Sequence, residues 1–166
     1  TMKISIITVV RNNVSTINDA IESVLSQTYK NIEYIIVDGN STDGTVEVVQ
    51  GYKDKIDKFI SEKDHGVYDA MNKGIAMATG DVIGILNSDD IYFDKNSIES
   101  VVESFRENKT ESIFGDLYYV DKYDLNKVIR YWKSSDFKLG SFAKGWHPPH
   151  PTFFVNNCKA DTVRES

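Results

Sequence analysis

The chain has 166 residues, enough for one domain with a sizeable core. A net charge of −6 disfavours nucleic acid as a partner, and no apolar run is long enough to span a bilayer. A single cysteine, Cys158, rules out an internal disulfide or a cysteine metal cluster and fits a reducing cytoplasm.

The opening "TMKISIITVV" carries one lysine and runs straight into polar "RNN", so it is expected to be a first strand and not a signal peptide. After Ser15, taken as an N-cap, Ile17, Ala20, Ile21, Val24 and Leu25 fall on one helical face. "IEYIIVD" (32–38) follows as a second strand. A short helical face of Val46, Val49 and Tyr52 precedes a third strand, "DKFISE" (57–62). Tyr68, Met71, Ile75 and Ala78 make the next helix, ended by Gly80, and "DVIGIL" (81–86) the fourth strand. Ser97 caps a last helix with Ile98, Val101, Val102 and Phe105 inward. Strand and helix alternating in this way predict βαβ units and a mainly parallel sheet covered on both faces. From about residue 110 the pattern changes. "SIFGDLYYVD" and "KVIRYWK" are expected as antiparallel additions, and "GWHPPHP" as a rigid loop.

In open α/β sheets, ligands bind beyond the carboxyl ends of the strands. Those ends are polar here: Thr8 to Asn13, then "DGNSTDGT" with Asp38 and Asp43, "EKDHG" with Glu62, Asp64 and His65, and "NSDD". Alone, an Asp pair is a turn or helix cap. Gathered at one sheet edge, like charges repel unless a cation offsets them. A divalent ion on Asp89 or Asp90 would do so, and hard oxygen ligands suit Mg²⁺ or Mn²⁺ with substrate phosphates completing the shell. No dinucleotide fingerprint or phosphate-loop motif is present, so the metal would carry the phosphates. Asp38 and Asp64 could each accept hydrogen bonds from a ribose or a base. A phosphoacceptor receiver domain, another small acidic α/β fold, needs an acid pair where this chain has "RNN".

"SIITVVRN", "SVLSQTYKNIEYIIVDGNSTDGT", "EKDHGVYDAMNKGIAMATGD" and "LNSDD", in this order over residues 3–120, resemble the family 2 glycosyltransferases of the GT-A fold. The likeness is greatest to bacterial surface-polysaccharide (colanic-acid-type) members. It implies a Rossmann-like domain, with residues 1–110 as the nucleotide-sugar half and 111–166 as a partial acceptor-side half. It also implies transfer, with inversion, from a nucleoside-diphosphate sugar (UDP by family habit) to a saccharide or lipid-linked acceptor. Thr8 and Val10 would line the nucleotide pocket, Asp38 would meet base or ribose, and Asp64 the base. Asp89 would lie near ribose or donor sugar, and Asp90 on the metal. Asn87 stands where many members carry another Asp. Asn72 and Lys73 would lie near the pocket, with Lys73 reaching phosphate. The family's general base has no counterpart before Ser166, so a truncated chain is expected, with His150 and Asp116 as weak candidates for the role. The alternative is a nucleotide-sugar-binding domain without turnover. A cytoplasmic site, at the inner membrane face through peripheral contact, and a homodimer are compatible with the sequence.

Overall fold

The computed structural model describes residues 2–92, 95–108, 117–121, 124–132 and 153–156. The elements run β1 (Ile4–Val10), α1 (Ile17–Leu25), β2 (Ile32–Asp38), α2 (Thr45–Gln50), β3 (Lys58–Ser61), α3 (Val67–Met77), β4 (Val82–Asn87), α4 (Ser97–Asn108), β5 (Leu117–Asp121), β6 (Asp124–Trp132) and β7 (Phe153–Asn156).

The main sheet has the order β3-β2-β1-β4-β7, with the first four strands parallel and β7 antiparallel to β4. β5 and β6 pair antiparallel, as expected, but in a two-stranded sheet of their own and not as additions to the main one. No strand was expected at Phe153–Asn156, because four apolar-rich residues carry too little periodicity to assign one. The first helix is capped by Thr16 and not by Ser15.

Alternation along the strands divides the core between two layers. Ile4, Ile6 and Val10 of β1, Tyr34 and Ile36 of β2, and Val82 and Leu86 of β4 pack with Ile17, Ala20, Ile21 and Val24 of α1, Val49 of α2 and Ile98 and Val102 of α4. Ile7, Val9, Ile35, Val37, Ile83 and Ile85 face Ala70 and Met71 of α3 and the adjoining Ala78. Chain handedness explains why, among the described helices, α3 is alone on its face. The steps β1 to β2 to β3 move one way across the sheet, whereas β3 to β4 returns past β1. A right-handed crossover therefore puts α3 on the opposite side. The contact there is close: a Cβ on Gly74 would lie 2.4 Å from Cγ2 of Ile7.

The reversal between β1 and β4 is a topological switch point, where two loops part and leave a crevice. Among the described residues, no helix is long and apolar enough to cross a membrane.

Candidate functional site

A cleft of about 300 Å³ opens at that switch point. Val9, Val10, Arg11 and Asn13 line it from the end of β1, Asn87 and Ser88 from the end of β4, and Asp64, Gly66, Val67 and Ala70 from the start of α3. Its size is at the small end of ligand-binding clefts. Two of its features favour negative charge, the exposed Arg11 and the positive end of the eleven-residue α3.

Local chemistry builds the start of α3. Gly66 has φ +118°, which a side chain would strain, and its N–H donates to Oδ1 of Asp64 at 3.0 Å. Asp69 reaches back to accept the N–H of His65, the residue before the cap, at 3.0 Å. That backbone hydrogen bond is the main cause holding the Asp69 carboxyl below its usual range. Asp64 itself rests over Gly39, where a Cβ would lie 2.6 Å from Oδ2 of Asp64. A bare backbone at the end of β2 therefore makes the room that this carboxylate occupies.

Register sets the loops on the other side of the cleft. Val10 pairs with Asp38, and Asp38 with Ser61, so β1, β2 and β3 end at one level. The N–H of Gly39 donates to the carbonyl of Val10 at 2.9 Å. Asp38 is fully buried and accepts from Ser41 (N–H, 2.9 Å; hydroxyl, 2.5 Å) and from the Ser61 hydroxyl (2.7 Å). Asn12, in the left-handed region at φ 51°, accepts the N–H of Thr42 through its Oδ1 at 2.8 Å.

Of the residues expected at the nucleotide, Val10 and Asp64 line the cleft. Thr8 does not: it shares the sheet face of Tyr34, and the two hydroxyls lie 2.8 Å apart in the core. Asp38 lies on that same face, engaged by serines. Asn72 is exposed on α3 and is not part of the lining. Lys73 is also absent from the lining. Its ammonium pairs with Glu62 at 3.1 Å and Asp69 at 3.5 Å and donates to the carbonyl of Lys63. The Glu62 contact is the leading cause that raises its pKa. Asp116 and His150 lie outside the described residues.

Asp89 is half-buried and Asp90 is 3% exposed, in a turn closed by the Asp90 N–H on the carbonyl of Asn87 at 3.1 Å. Among the described residues no three His, Cys, Asp or Glu side chains gather into a metal cage. Two adjacent carboxylates next to the cleft instead fit a hard divalent ion that takes much of its shell from a phosphate ligand. Val9, Arg11, Asn13, Gly66 and Ser88 fall within the polar strand ends expected to face a ligand, though without individual roles, and Val67 and Ala70 lie beyond those stretches. The switch-point rule pointed to the loops, but not to which side chains turn inward.

The model of the family described as "Glycosyl transferase family 2" matches residues 5–161. The glycosyltransferase GlyG of Streptococcus pneumoniae is 32% identical over 143 residues, covering 84% of this chain and 47% of that protein. An uncharacterised glycosyltransferase of Nostoc is 36% identical over 129 residues, covering 75% of this chain and 38% of its own length. The chain thus spans less than half of either relative. Among solved structures, TarS 1–349 of S. aureus has a TM-score of 0.68 at 19% identity, covering 98% of this chain and 49% of that one. The mannosyltransferase PcManGT of Pyrobaculum calidifontis, in complex with GDP-Man and Mn²⁺, has a TM-score of 0.61 at 20% identity over 68% of this chain and 34% of its own. The fold is the α/β GT-A fold, and the chain belongs to glycosyltransferase family 2.

Proposed function

We propose that the cleft binds a nucleoside-diphosphate sugar and that the protein transfers its sugar to a saccharide or lipid-linked acceptor in surface-polysaccharide synthesis. The observation that carries the reading is the position of the cleft. It lies at the switch point of a family 2 fold, between Asn87 and Ser88, which precede the acid pair after β4, and the start of α3. A solved relative of the same fold holds GDP-Man with Mn²⁺, and another holds UDP-GlcNAc.

Asp64 is the acceptor for the donor's base or ribose. Arg11 and the positive end of α3 face its diphosphate. Asp38, held by Ser41 and Ser61, supports the loop from which Arg11 and Asn13 reach the cleft. Asp90, with Asp89, would hold Mg²⁺ or Mn²⁺, which when bound offsets the charge developing on the leaving diphosphate. Attack by an acceptor hydroxyl on the anomeric carbon, from the face opposite the diphosphate, inverts the configuration. The attacking hydroxyl passes its proton to a base, a step worth typically about 10²–10⁴-fold. The reaction takes place in the cytoplasm, at the inner membrane face.

The test is calorimetric titration of UDP, GDP and dTDP with and without Mn²⁺, beside assays of sugar transfer and donor hydrolysis. Mn²⁺-dependent binding of one diphosphate, lost in Asp90→Ala and weakened at least tenfold in Asp64→Asn, is expected. No binding of any diphosphate would overturn the reading. Tight binding without transfer or hydrolysis would favour a nucleotide-sugar-binding domain without turnover.

A further inference from the structure

Two adjacent asparagines open the loop after β1, and both are gripped in the same way. In each case an aspartate at or beyond the end of β2 accepts a hydrogen bond from a hydroxyl, and that hydroxyl accepts the asparagine's backbone N–H. For Asn12 the pair is Asp38 and Ser41, with Ser41 Oγ 2.8 Å from the Asn12 nitrogen. For Asn13 it is Asp43 and Thr45. The Thr45 hydroxyl donates to Asp43 Oδ1 at 2.5 Å and accepts the Asn13 N–H at 3.2 Å.

The second relay extends further. The Asn13 side-chain amide donates to Oγ of Ser88 at 2.7 Å, and Ser88 is buried one residue before the acid pair. Oδ2 of Asp43 also accepts the Val14 N–H at 3.1 Å, and Oδ1 the Thr45 N–H at 3.0 Å. Four side chains therefore join the loops after β2, β1 and β4. Thr45 is fully buried, and with its proton committed to Asp43 its lone pairs are directed at Asn13. Neither Asp43 nor Thr45 lines the cleft.

We propose that Asp43, Thr45 and Asn13 are positioning residues that fix the turn carrying Asp89 and Asp90 against the loop carrying Arg11. The inference rests on the donor-site reading and deepens it: the relay sets the distance between the cationic and metal-binding sides of the diphosphate site. The contact of Thr45 with Asp43 is the leading cause holding the Asp43 carboxyl below its usual range, in keeping with a relay whose acceptor stays ionised.

The test compares Thr45→Val, which keeps the shape and removes the hydroxyl, with Thr45→Ser, which keeps the hydroxyl. Asn13→Ala, Ser88→Ala and their double variant complete the set. Each protein is titrated with whichever diphosphate the unaltered chain binds, with Mn²⁺ and without it. Thr45→Val and Asn13→Ala are expected to weaken binding in Mn²⁺ about three- to tenfold, the size of one lost hydrogen bond. The metal-free affinity of Thr45→Val, a residue outside the cleft lining, should stay within about twofold, and Thr45→Ser should bind as the unaltered chain does. The Asn13→Ala/Ser88→Ala double variant should lose no more than the weaker single one, because both remove the same link. Unchanged affinity in Mn²⁺, or an equal fall with and without metal, would overturn the positioning role. If Thr45→Val does not fold, Asp43→Ala, at an exposed residue outside the cleft lining, decides the question by the same comparison. A failure of the unaltered chain to bind any diphosphate would instead overturn the donor-site reading.

Discussion

The two ends of the sheet use polar groups in opposite ways. At the amino end, Glu33 is 6% exposed beneath the close of α3, and its carboxylate is fully engaged. It accepts from the Ser5 hydroxyl at 2.7 Å and from the Thr79 N–H and hydroxyl, each at 2.9 Å, and pairs with Lys58 at 3.1 Å and Lys3 at 3.7 Å. The N–H of Gly80 then donates to Ser5 at 2.8 Å, where a Cβ on Gly80 would meet Ser5 and the Lys3 carbonyl within 3 Å. That end is a closed knot of charge and donors. At the carboxyl end, serines, threonines and asparagines join loop to loop around an open cleft, with Asp38 and Asp43 as their anchors. One end holds α3 on the sheet; the other holds its start beside the cleft. Stability and binding should therefore separate by location.

The largest expected effect is at the knot. Burial raises the Glu33 carboxyl, but the Thr79 N–H, the Ser5 and Thr79 hydroxyls and Lys58 together outweigh it and bring it down to about 2. A carboxylate lowered on folding contributes stability that is complete above its ordinary value of 4.5 and is lost as pH falls toward 2. That difference amounts to about 3 kcal/mol. Urea unfolding followed from pH 6 to pH 2 should show this loss, and Glu33→Gln should flatten the profile. Glu33→Ala should cost about 3 kcal/mol at neutral pH, because Ser5 and Thr79 lose their acceptor. Diphosphate affinity per folded molecule should stay unchanged in both. A large fall in affinity would show that the two ends are coupled.

A smaller effect is expected at Gly39, with the reverse signature. An alanine Cβ there displaces the Asp64 carboxylate, so Gly39→Ala should weaken diphosphate binding about tenfold, or about 1.4 kcal/mol. Unfolding free energy should change by less than about 1 kcal/mol, because a half-buried side chain can move aside. Gly39→Ala/Asp64→Asn should bind no more weakly than the weaker of the two single variants. An additive loss would show that Gly39 acts apart from Asp64.

The alternation of apolar runs revealed the strands and helices of residues 3–102, and the polar strand ends pointed to the edge where the cleft opens. Two kinds of fact were hidden. One was engagement: Thr8 and Asp38 stand at the expected edge, but the Tyr34 hydroxyl and the serines hold them, and neither is among the residues that line the cleft. The other was pairing across the sequence. Glu33 resembles a stray charge in "NIEYIIVD" until Lys58 and Thr79 arrive from elsewhere, and "RNN" and "DGNSTDG" look like separate turns until Val10 pairs with Asp38.

The most direct measurement is paramagnetic broadening of backbone amide signals by Mn²⁺ in the presence of the bound diphosphate. The amides of Asn87, Ser88, Asp89 and Asp90 should broaden first, then those of Arg11 and Asn13, while those of Lys3, Glu33 and Thr79 stay sharp. Broadening centred on Glu33 and Lys58, or none near Asp90, would contradict a donor site at the switch point.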